Sequence, residues 1–267
     1  LTYWQDLVKF YIGLGFKGYR CDAAYKIPSD LWSLLIKGAK SLCPQISFFA
    51  ETLGCRLREV EALAHSGFDY LFNSSKWWDF HQEWLLKQYE GFRQIAPSIS
   101  FPESHDTPRL AKEVGGRVKI VKLRYLFAAF FSQGILMPIG YEYGFQKRLN
   151  VLRTRPSDWE EPALGLTKFI TEVNLMKASC PVLNEEGPIE RLSQVKDPVV
   201  ILVKSSERFP GKVLALINSD TKRPHQVNLN PQVVEGFIEE LTPEIAQVSS
   251  SLPMELEPAQ MRIYYVR

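Results

Sequence analysis

Residues 16–51 read FKGYRCDAAYKIPSDLWSLLIKGAKSLCPQISFFAE, and this stretch decides the fold class. Phe16 to Asp22 is short and alternates Tyr19 and Cys21 against Gly18 and Arg20, the period of a strand. Ser29 and Asp30 stand where a helix cap stands, ahead of apolar residues at helical spacing from Leu31 to Leu42. Ile46 to Ala50 is an apolar run too short for a helix, and it ends on Glu51. Strand, loop, helix and strand in this length predict a parallel βαβ unit.

The same unit extends in both directions. Upstream, Tyr3, Trp4, Leu7, Val8, Tyr11 and Leu14 recur at helical spacing, and Gly13 and Gly15 stop the pattern. Downstream, an amphipathic helix over Arg56 to His65 precedes a strand over Phe68 to Phe72, and a helix over Trp77 to Tyr89 precedes a strand over Ile99 to Pro102. A long helix near Lys119 to Ser132 then precedes a strand over Ile135 to Ile139, and Leu164 to Ala178 is read as the last helix. Five strands alternating with helices suit either an open doubly wound sheet or part of a (β/α)8 barrel. After Pro181 the pattern becomes β-rich, with strands expected at Val199 to Lys204, Val213 to Asn218, Gln226 to Leu229, Phe237 to Leu241 and Met261 to Val266. Two domains are therefore expected, 1–184 of α/β type and 185–267 all-β, joined at Glu185-Glu186-Gly187-Pro188.

Composition excludes several function classes. The 267 residues carry 32 Lys plus Arg against 30 Asp plus Glu, without a basic run, so no nucleic-acid or membrane partner is implied by charge. No stretch approaches the roughly 18 consecutive apolar residues of a membrane span, and no basic segment followed by an apolar core marks export. Cys21, Cys43, Cys55 and Cys180 are irregularly spaced with no metal-type pair, so they are read as reduced, structural thiols of a cytoplasmic protein. No metal or other cofactor is expected.

Polar residues at the C-terminal ends of parallel strands are where such folds carry their chemistry. Three strands here finish on a carboxylate: Arg20-Cys21-Asp22, Phe49-Ala50-Glu51 and, in the fourth unit, Ser104-His105-Asp106. Each alone has a plain structural reading, as a helix cap for Asp22, a solvated loop acid for Glu51 and a hydrogen-bonded structural residue for His105. Together on one rim they suggest glycosidic bond cleavage, in which one carboxylate attacks carbon and another group protonates the leaving oxygen. Arg20 and Asp22 leave the same strand face, so the cation is expected to keep Asp22 ionised, whereas Phe48, Phe49 and Ala50 are expected to make Glu51 the weaker acid.

Gly18-Tyr19-Arg20-Cys21-Asp22-Ala23, Phe49-Ala50-Glu51 and Phe101-Pro102-Glu103-Ser104-His105-Asp106-Thr107-Pro108-Arg109 resemble, in order, the second, third and fourth signature regions of the alpha-amylase family, glycoside hydrolase family 13. Gly140-Tyr141-Glu142-Tyr143-Gly144 is similar to a segment after that family's eighth barrel strand. The resemblance covers about residues 1 to 180 and implies strands four to eight of a (β/α)8 barrel followed by the family's all-β C-terminal sandwich domain. It implies Asp22 as nucleophile, Glu51 as general acid and base, and Asp106 as the carboxylate that binds sugar hydroxyls. Arg20, His105, Tyr25 and Lys26 would contact or support the substrate, an α-glucan or malto-oligosaccharide.

The chain departs from the family pattern in places. Tyr25-Lys26 stands where many hydrolases carry Lys-His, and Ser104 stands where Asn usually precedes the His-Asp pair. The Asp22 to Pro28 loop looks more like glucan-modifying branches, including maltosyltransferases. The first signature region has no counterpart, which implies a missing N-terminal half of the same enzyme as partner. Hydrolysis is the first expectation for the reaction, transfer to a sugar the second, and a non-catalytic glucan-binding fragment the third. Arg109 is read either as the partner of a carboxylate in its own loop or as a surface residue opposite Glu113. Trp77 and Trp78 are read as packing residues before sugar-stacking ones.

Overall fold

The computed structural model describes residues 1–228, 238–243 and 255–266. It divides into two compact units, the first comprising 1–74 and 87–99, the second 75–86 and 100–267.

In the first unit, helix α1 (Thr2–Gly13) leads to β1 (Gly18–Cys21), α2 (Ser29–Leu42), β2 (Ser47–Ala50), α3 (Leu57–Glu61) and β3 (Tyr70–Phe72). Helix α4 (Trp84–Arg93) precedes β4 (Ser98–Ser100). β1, β2, β3 and β4 pair in parallel in that order, with Arg20 opposite Phe49 and Ala50 opposite Leu71. This is the parallel arrangement expected from the alternating pattern. Strand side chains alternate between faces, so Phe48 enters the core with Ile36, Ala39, Val60 and Phe92. Phe49 points to the opposite face, stacked on Tyr70 at 5.1 Å between ring centroids.

The second unit carries α5 (Leu110–Glu113), the buried helix α6 (Val118–Phe131), the short β5 (Gly134–Ile135) and α7 (Thr167–Ser179). The chain then turns to β structure: β6 (Ile189–Arg191), β7 (Val199–Ser205), β8 (Lys212–Asn218), β9 (His225–Gln226), β10 (Ile238–Glu240), β11 (Glu255–Leu256) and β12 (Gln260–Val266). They form an antiparallel sheet in the order β10-β12-β8-β7-β6 and a separate β11-β9 pair. Of the strand ends expected from sequence, Leu229 and Phe237 lie outside the described residues.

Four local expectations are corrected. α2 begins at Ser29 itself, with Pro28 in the cap position and no side-chain cap, so Ser29 and Asp30 are first-turn residues. The helix expected over Arg56 to His65 is α3 alone, continued by short turns at Leu63, Ala64 and Ser66 that end at Gly67, whose φ is 89°. The helix expected over Trp77 to Tyr89 is broken because Asp79 Oδ1 accepts the His81 N–H at 2.9 Å, a local turn that competes with the helix. The strand expected to reach Ile139 ends at Ile135; Leu136 N–H still donates to Ser100 O at 2.9 Å, and Pro138 beyond it has no N–H to continue a ladder.

Candidate active site

In the first unit, Glu51 grips the backbone on both sides of Asp22. The Glu51 N–H donates to Cys21 O at 2.9 Å, its carbonyl accepts from Ala24 at 3.1 Å, and its Oε2 accepts the Ala23 N–H at 2.7 Å. Oε1 accepts the Leu53 N–H at 3.0 Å, so both oxygens of this buried carboxylate are held. Ala23 sits at φ 43° and ψ 45°, a left-handed conformation rare outside glycine. That kink turns the chain sharply off β1 directly after Asp22.

Asp22 itself is open to solvent, its side chain 78% exposed, with Oδ1 held by Arg20 Nη1 at 2.8 Å. The pairing expected from their shared strand face is present. Arg20 also lies over the Phe72 ring, 5.8 Å from its centroid, which fixes the guanidinium plane. Tyr25 packs partly buried against the core, and Lys26 is exposed with its ammonium 5.8 Å from the Tyr25 ring centroid.

Asp106 belongs to the second unit. Its Oδ2 lies 3.1 Å from His105 Nε2, and its side chain is 66% exposed. The turn beneath it is built by Ser104, whose hydroxyl accepts the Asp106 N–H at 3.2 Å while its own N–H donates to Thr107 Oγ1 at 3.0 Å. A serine hydroxyl makes the side-chain-to-backbone turn that an asparagine amide makes, so Ser104 at this position keeps the turn closed. Arg148 Nη2 donates to the Asp106 carbonyl at 2.6 Å.

Arg109 is the buried hub of this loop and not a surface residue opposite Glu113. Its Nη1 bonds Glu103 Oε1 at 2.7 Å, Nη2 donates to Ile139 O at 2.7 Å and Nε to Lys147 O at 3.2 Å. Burial pushes the Glu103 carboxyl above its ordinary value, against the Leu110 N–H and the Arg109 guanidinium, which hold it down. Lys76, not Arg109, pairs with Glu113. Neither Glu103 nor Arg148 was singled out by sequence reasoning. Glu103 lies inside the quoted motif, whereas nothing in sequence links Arg148 to an aspartate 42 positions away.

The Gly140 to Gly144 segment is a tight turn. Gly140 has φ 91°, its N–H donates to Glu142 Oε2 at 2.9 Å, and an added Cβ would meet Phe145 at 2.2 Å. Trp78 is fully buried, whereas Trp77 is half exposed. Among the described residues no group of three or more His, Cys, Asp or Glu is arranged to hold a metal ion.

No protein-family model matches the chain. The alpha-1,4-glucan:maltose-1-phosphate maltosyltransferase of Burkholderia pseudomallei (strain K96243) is 24% identical over 235 residues, covering 83% of this chain and 21% of the relative. That of Corynebacterium glutamicum is 23% identical over 238 residues, covering 84% and 35%. The alpha-amylase of Geobacillus thermoleovorans, solved with acarbose, superposes with a TM-score of 0.78 at 17% identity over 100% of this chain and 63% of that one. The chain shares its fold with this alpha-amylase. An Anoxybacillus alpha-amylase agrees with this fold, with a TM-score of 0.77 at 20% identity, covering 99% of this chain and 62% of that one.

By sequence the chain is similar to these two maltosyltransferases, and by fold to the two alpha-amylases. It spans about a fifth and about a third of the length of the curated relatives it matches. No helix among the described residues is long and apolar enough to cross a membrane. All four cysteines are free, and burial pushes the Cys21 and Cys55 thiols up to about 12.

Proposed function

We propose that this chain carries the nucleophile and the acid of a retaining enzyme acting on α-linked glucans or malto-oligosaccharides. Asp22 attacks the anomeric carbon, Glu51 protonates the leaving oxygen and then deprotonates the acceptor, and Asp106 binds sugar hydroxyls beside His105. The observation that carries this reading is the Asp22 and Glu51 pair. An exposed carboxylate with only one oxygen held is a free nucleophile, and the acid is bonded to the very next residue. Retaining chemistry requires the two working carboxyls about 5 to 5.5 Å apart. Arg20 aims the nucleophile, and Tyr25 and Lys26 flank the sugar.

The two maltosyltransferase relatives favour a sugar over water as the acceptor in the second step. Hydrolysis is the second reading, supported by the likeness of the fold to alpha-amylases.

The same reading makes the chain strands four to eight of a (β/α)8 barrel with an all-β sandwich from residue 185. The relatives extend well beyond the matched length, and Tyr3, Trp4, Phe10, Leu14 and Phe16 are exposed on the α1 side. That side, lined also by Leu7, Leu31 and Trp32 around a cavity of about 590 Å³, would receive the remainder of the barrel. Exposed apolar patches of this kind mark contact surfaces. Four free thiols support a reducing, cytoplasmic location.

The test is intact mass of the whole enzyme after incubation with a fluorinated α-glucosyl fluoride. A single glycosyl adduct mapping to Asp22, absent in Asp22→Ala, is expected. An adduct on another residue, or a product of inverted configuration, overturns the assignment. Products formed with and without added maltose then separate transfer from hydrolysis.

A further inference from the structure

In the second unit, both peptide groups that flank the Asp106 Cα are held. The Asp106 N–H donates to Ser104 Oγ at 3.2 Å, and the Asp106 carbonyl accepts from Arg148 Nη2 at 2.6 Å. A residue has only two soft backbone torsions, so fixing the peptide plane on each side fixes the direction in which its side chain leaves. The Asp106 carboxylate is 66% exposed and lines a cavity of about 400 Å³ with His105 and Arg148. Asp106 is thus set in place through its main chain while its oxygens stay open. Of the two backbone bonds, that from Arg148 is the shorter and is charge-assisted, whereas that to Ser104 joins neutral groups.

Arg148 has a firm base from which to do this. The Lys147 N–H donates to Glu160 Oε1 at 2.6 Å, and the Lys147 carbonyl accepts from Arg109 Nε at 3.2 Å. Arg109 is itself anchored through Nη1 to the buried Glu103 carboxylate at 2.7 Å, and Glu103 and Arg109 bracket Asp106 in one loop. The bonds close a circuit. Arg109 reaches from the Asp106 loop to Lys147, and Arg148, the next residue, reaches back across 42 positions to Asp106. Once one crossing bond is made, the second closes only a short loop, at a small cost in chain entropy.

The two arms of this clasp differ in burial. Arg109 is 2% exposed, whereas Arg148 is an exposed residue. A contact made by an exposed arginine contributes little to global stability. The consequence of the Arg148 bond is therefore local, the placement of one carboxylate.

We propose that Arg148 is a positioning residue for Asp106, acting through the Asp106 carbonyl to hold the carboxylate where sugar hydroxyls are bound. This rests on the role proposed for Asp106 in binding those hydroxyls. Displacing a working group by about 1 Å costs on the order of 100-fold in rate. The loss falls on kcat where the interaction is one that tightens in the transition state.

The test combines kinetics of the whole enzyme with a view of the Asp106 carbonyl. Arg148→Ala should lower kcat on maltohexaose by about tenfold or more, change KM by less than about threefold and leave the thermal midpoint unchanged. Millimolar guanidinium chloride should restore part of that kcat and leave the parent unmoved, and Arg148→Lys should retain part of it. In an Asp106→Ala background, Arg148→Ala should cost no further activity toward an α-glucosyl fluoride, since a residue acting through Asp106 has nothing left to act on. With carbonyl-13C aspartate and 15N threonine, the full chain gives NMR signals only from Asp106-Thr107 and Asp220-Thr221. The first, assigned by its loss in Asp106→Ala, should move in Arg148→Ala and return toward the parent position with guanidinium. A raised KM with kcat intact would make Arg148 a direct substrate contact, and a full further loss in the Asp106→Ala background would separate its effect from Asp106. Either result overturns the proposal, as does a lowered thermal midpoint without rescue by guanidinium. If the Asp22 adduct forms in the parent while neither kcat nor the Asp106-Thr107 signal responds to Arg148→Ala, positioning fails and the catalytic reading stands. If the signal responds but the parent forms no adduct on Asp22, the Arg148 clasp stands and the catalytic reading fails.

Discussion

The carboxylate of Glu51 accepts the backbone N–H of Ala23 at 2.7 Å and that of Leu53 at 3.0 Å. The group assigned as acid is thus also a strut for the turn that presents Asp22. Removing it strands two partly buried donors, each worth about 1 to 3 kcal/mol when left unsatisfied. Glu51→Ala should therefore lower unfolding stability by about 2 to 4 kcal/mol. Glu51→Gln keeps one acceptor and turns its amide against the other N–H, and should cost about half as much. Urea unfolding of the two variants checks this, and equal losses would show that the strut does not act through the carboxylate oxygens.

Ala23 holds φ 43° and ψ 45°. For an L-residue the left-handed region costs roughly 1 to 2 kcal/mol, a cost glycine escapes. Ala23→Gly should be close to neutral, because relief of strain offsets the roughly 0.4 to 1 kcal/mol of extra freedom it gives the unfolded chain. Ala23→Val should lose about 2 kcal/mol or more, since β-branching makes the region a true outlier. A valine variant as stable as the parent would mean that the turn relaxes, and Asp22 would then have lost its fixed presentation.

The Arg109 and Glu103 pair is nearly sealed from solvent, at 2% and 1% side-chain exposure. Breaking a buried pair leaves an unpaired charge, at a cost of about 3 to 5 kcal/mol. Arg109→Met should show that loss in thermal unfolding, and adding Glu103→Gln should recover a substantial part by removing the orphaned carboxylate. No recovery in the double variant would assign the loss to the Ile139 and Lys147 carbonyls that Arg109 also holds.

The alternation of strand and helix was legible because it depends on local period alone, and β1 and β2 fall within the stretches quoted for them. The Arg20 and Asp22 contact was legible for the same reason, two residues on one strand face. Interruptions were less so. The break after Trp77 comes from one Asp79 side chain turning onto the backbone, a local competition that apolar spacing does not register. Contacts remote in sequence were invisible: Arg148 on the Asp106 carbonyl and Lys204 beneath α6 both depend on loops or strands meeting across long separations. A buried lysine in particular runs against the composition rule that lysine is rarely fully buried unless paired.

Lys177 and Lys204 are such residues, and they make stability depend on pH. Lys177 Nζ donates to the carbonyls of Ala129, Ser132 and Leu183, and Lys204 Nζ to Phe130 O at 3.1 Å and Phe131 O at 2.9 Å. Together they satisfy carbonyls at the C-terminal end of α6, where cations are favoured. Burial nevertheless lowers Lys177 to about 7, aided by the Lys204 charge, and lowers Lys204 to about 8. Lysine in the unfolded chain titrates near 10.4. Between about pH 7 and that value the unfolded chain holds protons that the folded chain has released, so stability rises with pH, by up to about 1.4 kcal/mol per pH unit for each proton. The thiols act in the opposite sense. Cys21 and Cys55 are pushed up to about 12 by burial, whereas an unfolded thiol ionises near 8.5, so above that pH the folded chain holds the extra protons and stability falls. Urea midpoints from pH 6.5 to 10 should therefore climb to a maximum near pH 8.5 and then level or decline. Lys177→Met should flatten the climb whatever it does to stability overall, and Cys21→Ala should soften the decline. A parent profile that falls from pH 7 to 8.5 would show that the carbonyls around Lys177 hold its proton against burial.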